Sequence, residues 1–267
     1  MSKKLQIINW NFRYMGAREK KLDFLFSIAK GDYCIMLQEV EPYVCEKIRE
    51  RCEEEHAFVY SLDYRAPGKF DSTARKLGVL MICSKNIKVL KAGVVERNLF
   101  PDRTAWAIVD FYGRQVKLLA IHSITGCGYG KAKSIQYESL MEFVEDFRPD
   151  VIGIDANEPQ IDSYDIEKMQ FYNQNGYGAV GFFREMRNCG LLDSFVVANN
   201  ITDCQEGQCL AVSYYIRRKG GVRYDFIFTK NTIKPLTCKY LYEEAIEATG
   251  DHALIVSELE LNEEKRI

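Results

Sequence analysis

Eight polar side chains stand where apolar runs meet turns, and their types suit one kind of reaction. Asn11 closes IINW, Glu39 follows YCIMLQ, and His122 follows LLAI. Asp155 and Asn157 follow VIGI, Asp225 opens DFIFT, and Asp251 and His252 directly precede ALIV. Asn11, Glu39 and Asp251 offer hard oxygen donors, which suit Mg²⁺ or Mn²⁺ and not zinc. Asp225 and His252 can pair, the carboxylate fixing the imidazole tautomer and raising its basicity. A histidine so poised can take a proton from water. Attack on a phosphodiester then requires stabilised negative charge, which the metal, His122 and Asn157 can supply.

Each residue alone has a plain structural alternative. Asp251-His252 can be a capped turn, Glu39 a surface carboxylate, GIDANEP an Asx-type turn before proline, and His122 a satisfied buried histidine. Buried acids and amides are costly without partners. One shared site explains the whole set more economically than separate accidents.

The elements that must hold these residues read as strands at a sheet rim. LQIINW, YCIMLQ, HAFVYSL, LGVLMIC, TAWAIVDF, VKLLAIHS, DVIGID, YDFIFT and ALIVSELEL are rich in β-branched or aromatic residues. Several are apolar nearly throughout, as in strands covered on both faces. EKKLDFLFSIAK, PYVCEKIRERCEEE and SIQYESLMEFVEDF carry helical spacing. In the last, Ile135, Leu140, Phe143, Val144 and Phe147 form one stripe and Pro149 marks the end. Strand runs without intervening helices argue against a simple doubly wound sheet and for two packed sheets with helices outside. No linker divides residues 1–267, so a single domain is expected. Residues 159–190 are polar, glycine-containing and weakly periodic, and read as a long loop excursion with one helix.

The totals bound the partners. The chain has 267 residues, 47% of them hydrophobic, and a formal net charge of -2. Proteins that grip a nucleic-acid backbone by charge alone carry excess positive charge, so any phosphate recognition here is local. The one basic cluster, RRKGG at 217–221, reads as a hairpin turn before it reads as a backbone-binding loop. Nine scattered cysteines, Cys204 and Cys209 the closest pair, point to free thiols. His56, after EEE, reads as a solvated charge near a helix end. The start MSKKLQIINWN is too short and polar for a signal peptide, and no run reaches a membrane span. A soluble, cytoplasmic protein with no membrane partner is expected.

The blocks WN at 10–11, LQEV at 37–40, IHS at 121–123, GIDANEP at 153–159, RYDFIF at 223–228 and GDHALIV at 250–256 resemble the endonuclease/exonuclease/phosphatase superfamily, in its order and across nearly the whole chain. Deoxyribonuclease I and abasic-site endonucleases of the exonuclease III type belong to it. The resemblance implies a four-layer α/β sandwich, two mixed β-sheets face to face flanked by helices, and Mg²⁺-dependent phosphoester hydrolysis. It implies that Glu39 is the main metal ligand, with Asn11 and Asp251 close by. It implies that Asp155 and Asn157 orient water and phosphate, and that Asp225 and His252 form the base. His122 matches the histidine that deoxyribonuclease-like members place against the scissile phosphate. FPDRTAW resembles the stretch whose arginine approaches the phosphate, which makes Arg103 the substrate-binding residue. Deoxyribonuclease I orients its matching histidine with a glutamate. RKLGVLMIC has no acid, so another residue must orient His122. The expected reaction is endonucleolytic cleavage of DNA. The alternatives are a phosphatase or phosphodiesterase acting on a small phosphoester, and an inactive binding module.

Overall fold

The structure, a computed structural model, describes residues 3–52, 55–66, 76–125, 130–172, 178–205 and 207–261. The first sheet runs in the order β13-β14-β1-β2-β4-β3. Its strands are β1 (Lys3–Asn11), β2 (Tyr33–Val40), β3 (Ala57–Tyr60), β4 (Gly78–Cys83), β13 (Lys234–Leu241) and β14 (Leu254–Leu261). The second runs β5-β6-β7-β8-β12-β9. It comprises β5 (Ile87–Gly93), β6 (Thr104–Phe111), β7 (Arg114–His122), β8 (Val151–Asp155), β9 (Leu191–Asp193) and β12 (Asp225–Lys230). Both sheets are mixed: β1 with β2, and β7 with β8, are parallel, and the other pairings are antiparallel.

The apolar runs are explained by what covers each face. Leu5, Ile7, Cys34 and Met36 point at the opposite sheet, where they meet Ala107, Leu118 and Ala120. Their alternates Ile8, Trp10, Ile35 and Leu37 pack under α1 (Arg18–Ile28) and α2 (Pro42–Arg51), against Leu22, Leu25, Val44 and Ile48. Behind the second sheet, Leu119, Ile121, Ile152 and Ile154 pack under α4 (Lys131–Phe147) and α5 (Gly178–Asn188). Strands buried on both faces cannot alternate polar and apolar residues, which is why they read as continuous runs. The result is the expected sandwich of helices, sheet, sheet and helices. Short helices α3 (Ser61–Tyr64), α6 (Ser194–Ala198) and α7 (Tyr242–Glu247) connect the rest.

The two sheets approach closely beside the strand ends. An added Cβ at Gly153 would lie 2.6 Å from Met36 Sδ and 2.7 Å from Asn9 Oδ1, so only glycine fits there. Asn9, itself buried, donates to the carbonyls of Ile154 and Phe226 across the sandwich and accepts from Gln38 Nε2 at 2.8 Å.

Three expectations need correction. Ile135 is exposed, because Lys133, Gln136 and Tyr137 take the inner face of the first turns of α4. Within 159–190, the helix is α5, and its Phe182, Phe183 and Met186 enter the core as part of the outer layer. Residues 173–177 lie outside the described residues. His56 bonds the Tyr33 hydroxyl at 2.8 Å and is not simply solvated. Arg217, Arg218 and Lys219 of RRKGG form the turn between β10 (Tyr214–Ile216) and β11 (Gly220–Val222), and Cys204 and Cys209 are free thiols. Among the described residues no helix is long and apolar enough to cross a membrane.

Candidate active site

Parallel pairing at the centre of each sheet points the C-terminal ends of β1, β2, β7 and β8 at one edge of the sandwich. Asn11, His122 and Asp155 end their strands there, and Glu39 sits in a bulge of β2 with φ +56°. β12 runs the other way, so its first residue, Asp225, is the register partner of Asp155. His252 enters from the turn before β14. One cavity of about 570 Å³ is lined by Asn11, Glu39, His122, Asp155, Asn157, Asp251 and His252. Asp225 and Arg103 do not line it; each stands behind a histidine.

Asp225 Oδ2 lies 2.8 Å from His252 Nδ1. The backbone carbonyl of His252 accepts from Trp10 Nε1 at 3.0 Å, and the Tyr214 ring lies against the imidazole with centroids 4.6 Å apart. Burial alone would push the His252 pKa down, but Asp225, then Asp155, outweigh it and raise it to about 10. Asp155 is pushed up to about 7 by burial first and by Asp225 second. Asp155, Asp225 and His252 each place a donor atom within 4.8 Å of the others, a spacing that suits an imidazolium shared between two acids. Asp155 also accepts from Asn11 Nδ2 at 2.8 Å and from the Asn157 backbone N–H at 3.0 Å. Asn157 is in the left-handed region at φ +49°, and its Nδ2 donates to the Ser123 carbonyl at 2.8 Å.

His122 is oriented by Arg103. The guanidinium can only donate, so its Nη1, 2.7 Å from His122 Nδ1, fixes Nδ1 as the acceptor. The proton of the neutral ring is then on Nε2, which faces Glu39 and Asp155 carboxylate oxygens at 3.8 Å. Burial, then the Arg103 charge, hold the His122 pKa well below 6.5, so the ring is a neutral N–H donor at working pH. Arg103 is 9% exposed, bonded to the back of the imidazole, and outside the residues that line the cavity. It is also the partner that the missing acid in RKLGVLMIC left to be found.

The expected ligands fit a hard divalent cation. Glu39 and Asp251 line the same cavity, and Asp251 Oδ1 is buried with no hydrogen-bond partner among the described residues. Asp251 Oδ2 meets Arg13 Nε at 3.2 Å. Among the described residues Asn11 Oδ1 accepts only the Arg13 N–H, at 3.0 Å, which leaves a lone pair.

No family model matches the sequence, and no curated protein matches it. Solved structures do. An endonuclease/exonuclease/phosphatase from Bacteroides vulgatus superposes with a TM-score of 0.66 at 15% identity, covering 97% of this chain and 100% of that one. This chain has the endonuclease/exonuclease/phosphatase fold. TDP2 of D. rerio complexed with a single strand DNA product gives 0.63 at 16% identity over 96% of this chain and 98% of that one. The 3′ phosphatase NExo from Neisseria bound to a product DNA hairpin gives 0.63 at 18% identity over 95% and 98%.

On this endonuclease/exonuclease/phosphatase fold the sequence reading missed one wall of the cavity. Tyr172, Tyr214, Ile216, Lys219 and Tyr224 form it. Tyr214 stacks on Tyr224 at 6.0 Å, Tyr224 and Tyr172 share a 2.7 Å hydroxyl contact, and Lys219 Nζ lies 5.5 Å from the Tyr172 ring centre. The signal was present in SYYI, before the basic turn, and in RYDFIF. Tyr172 could not be singled out within the polar 159–190 stretch, because only its fold brings it beside Tyr224.

Proposed function

We propose that this protein is a divalent-metal-dependent phosphodiesterase acting on nucleic acid, DNA first, by endonucleolytic cleavage. The observation that carries the reading is the convergence of two histidines, three hard oxygen donors, Asp155 and Asn157 on one cavity. The solved structures of TDP2 and NExo with product DNA support the choice of polymer. Asn11, Glu39 and Asp251 would hold the metal, Mg²⁺ or Mn²⁺. When bound, the ion supplies positive charge that neutralises phosphate oxygens and lowers the proton affinity of neighbouring groups.

The chain's own residues do the rest. His252, paired with Asp225, is the group that takes a proton from the attacking water at Nε2, once its ring is neutral. Asp155 and Asn157 orient that water and the phosphate. His122 donates its Nε2–H to a phosphate oxygen as charge builds there. Its depressed pKa makes it a fixed donor and a poor proton source for the leaving oxygen. Arg103 keeps that tautomer.

The test is nicking of supercoiled plasmid with Mg²⁺, Mn²⁺ or EDTA, beside Glu39→Ala and His252→Ala. Metal-dependent nicking by the parent is expected, with a loss of about 10²–10⁴-fold in His252→Ala. A loss under tenfold in a folded His252→Ala protein would overturn the base assignment. The second reading is a small phosphoester substrate, favoured by the net charge of -2. Turnover of a chromogenic phosphodiester without nicking, abolished by both substitutions, would select it.

A further inference from the structure

Helix α4 presents a polar face to the back of the cavity. Gln136 donates to the His122 carbonyl at 3.2 Å and accepts from Ile124 N–H at 2.9 Å. Tyr137 donates to the Ala156 carbonyl. One turn earlier lies Lys133, 1% exposed, whose Nζ donates to the Asn157 carbonyl and to Glu158 Oε1, both at 2.8 Å. Glu158 is fully buried, and its Oε2 accepts the Tyr172 backbone N–H at 3.0 Å.

A buried ion pair is weak as a source of stability, since desolvation offsets most of its attraction. Its geometry gives it another use. The pair joins two features that no strand connects: the left-handed residue Asn157 on one side of the cavity and the aromatic wall at Tyr172 on the other. A left-handed non-glycine residue persists only where its surroundings over-determine it, and the Lys133 bond to its carbonyl is one such restraint.

We propose that Lys133 and Glu158 are positioning residues, which lock Asn157 and the Tyr172 wall into one rigid unit and so set turnover without touching the substrate. The proposal rests on the phosphoester reading for its kinetic consequence and on geometry alone for its rigidity.

The experiment pairs kinetics with hydrogen exchange. The variant is K133M/E158Q, in which glutamine can still accept from Tyr172 N–H while the charges and the bond to the Asn157 carbonyl are gone. In the folded variant kcat on a chromogenic phosphodiester should fall about 10- to 100-fold, with KM within about threefold, as when a reacting geometry is loosened. Exchange of the Asn157 side-chain NH₂, followed by NMR, should accelerate at least about tenfold. A kcat within about twofold of the parent overturns the kinetic role, and unchanged Asn157 exchange overturns the positioning role. If the variant does not fold, the parent decides: protection factors at Tyr172 N–H and the Asn157 NH₂ within about tenfold of each other support one unit, and a wider gap overturns it. A parent that neither nicks supercoiled plasmid nor turns over the chromogenic phosphodiester refutes the phosphoester reading and leaves the exchange arm intact to judge the pair.

Discussion

Asp225→Asn tests the electrostatics of the candidate base directly. In the folded protein His252 holds its proton up to about pH 10, against 6.5 for the free side chain. Between those values the folded state binds a proton that the unfolded state has lost. The resulting stabilisation is full below pH 6.5 and is lost as pH rises to about 10. Each pH unit inside the window removes up to about 1.4 kcal/mol, so the whole window is capped near 5 kcal/mol. Asparagine removes the main charge that raises the ring, while burial, which lowers it, remains. Asp155 and Asp251 still pull the ring up, so it should titrate well below the parent's and its contribution to the slope should shrink. Lys21, lowered by burial to about 8, adds an opposite slope above that pH in both proteins and cancels in the difference. The assay is urea unfolding in EDTA at pH 6.5 and 9.5, with NMR titration of the His252 ring. A parent ring that titrates near 6.5, or an equal slope in the two proteins, would refute the reasoning.

Arg103→Met should lower turnover about 10- to 100-fold, the cost of one charge-assisted bond, and should let the His122 proton populate Nδ1. Heteronuclear NMR of the ring reads the tautomer, and an unchanged Nε2–H form would refute the arginine's role. Lys21→Met should cost about 3 kcal/mol in urea unfolding, because the ammonium donates to the carbonyls of Phe12, Arg13 and Met15 at 2.5–2.7 Å and all three would lose that donor. Less than about 1 kcal/mol would show that water replaces it. Gly153→Ala should destabilise by about 1–3 kcal/mol through the Met36 and Asn9 contacts, and a neutral effect would show that the sheets can part.

The fold was legible because two-sided burial writes itself as continuous apolar runs. The strands left unread were of another kind. β5 and β13 are edge strands interrupted by lysines, and β13 carries Pro235 at a bulge, which is how edges avoid further pairing. The residues that meet at the cavity were legible because a polar side chain at the end of an apolar strand is conspicuous. Arg103 and Lys133 were not placed in their roles. Arg103 bonds His122, and Lys133 bonds the Asn157 carbonyl and Glu158, contacts that exist only after β6 meets β7 and α4 meets the turn after β8. Tyr172, Tyr214 and Tyr224 are ordinary aromatics in sequence, and their shared wall comes from the β10–β11 hairpin closing over His252.

The same parallel strands that gather the chemistry at one edge carry the rest of the chain away from it. Lys3 pairs with Leu261 at the opposite edge, eight residues of extended strand from Asn11, or about 26 Å. The molecule therefore has a working end and a handling end. A fluorophore, surface tether or fused domain joined beside Lys3 or Leu261 would hang from the side facing away from the cavity. Single-molecule or immobilised formats should thus leave the mouth of the cavity unobstructed, whereas the same attachment on the β10–β11 turn would cap it.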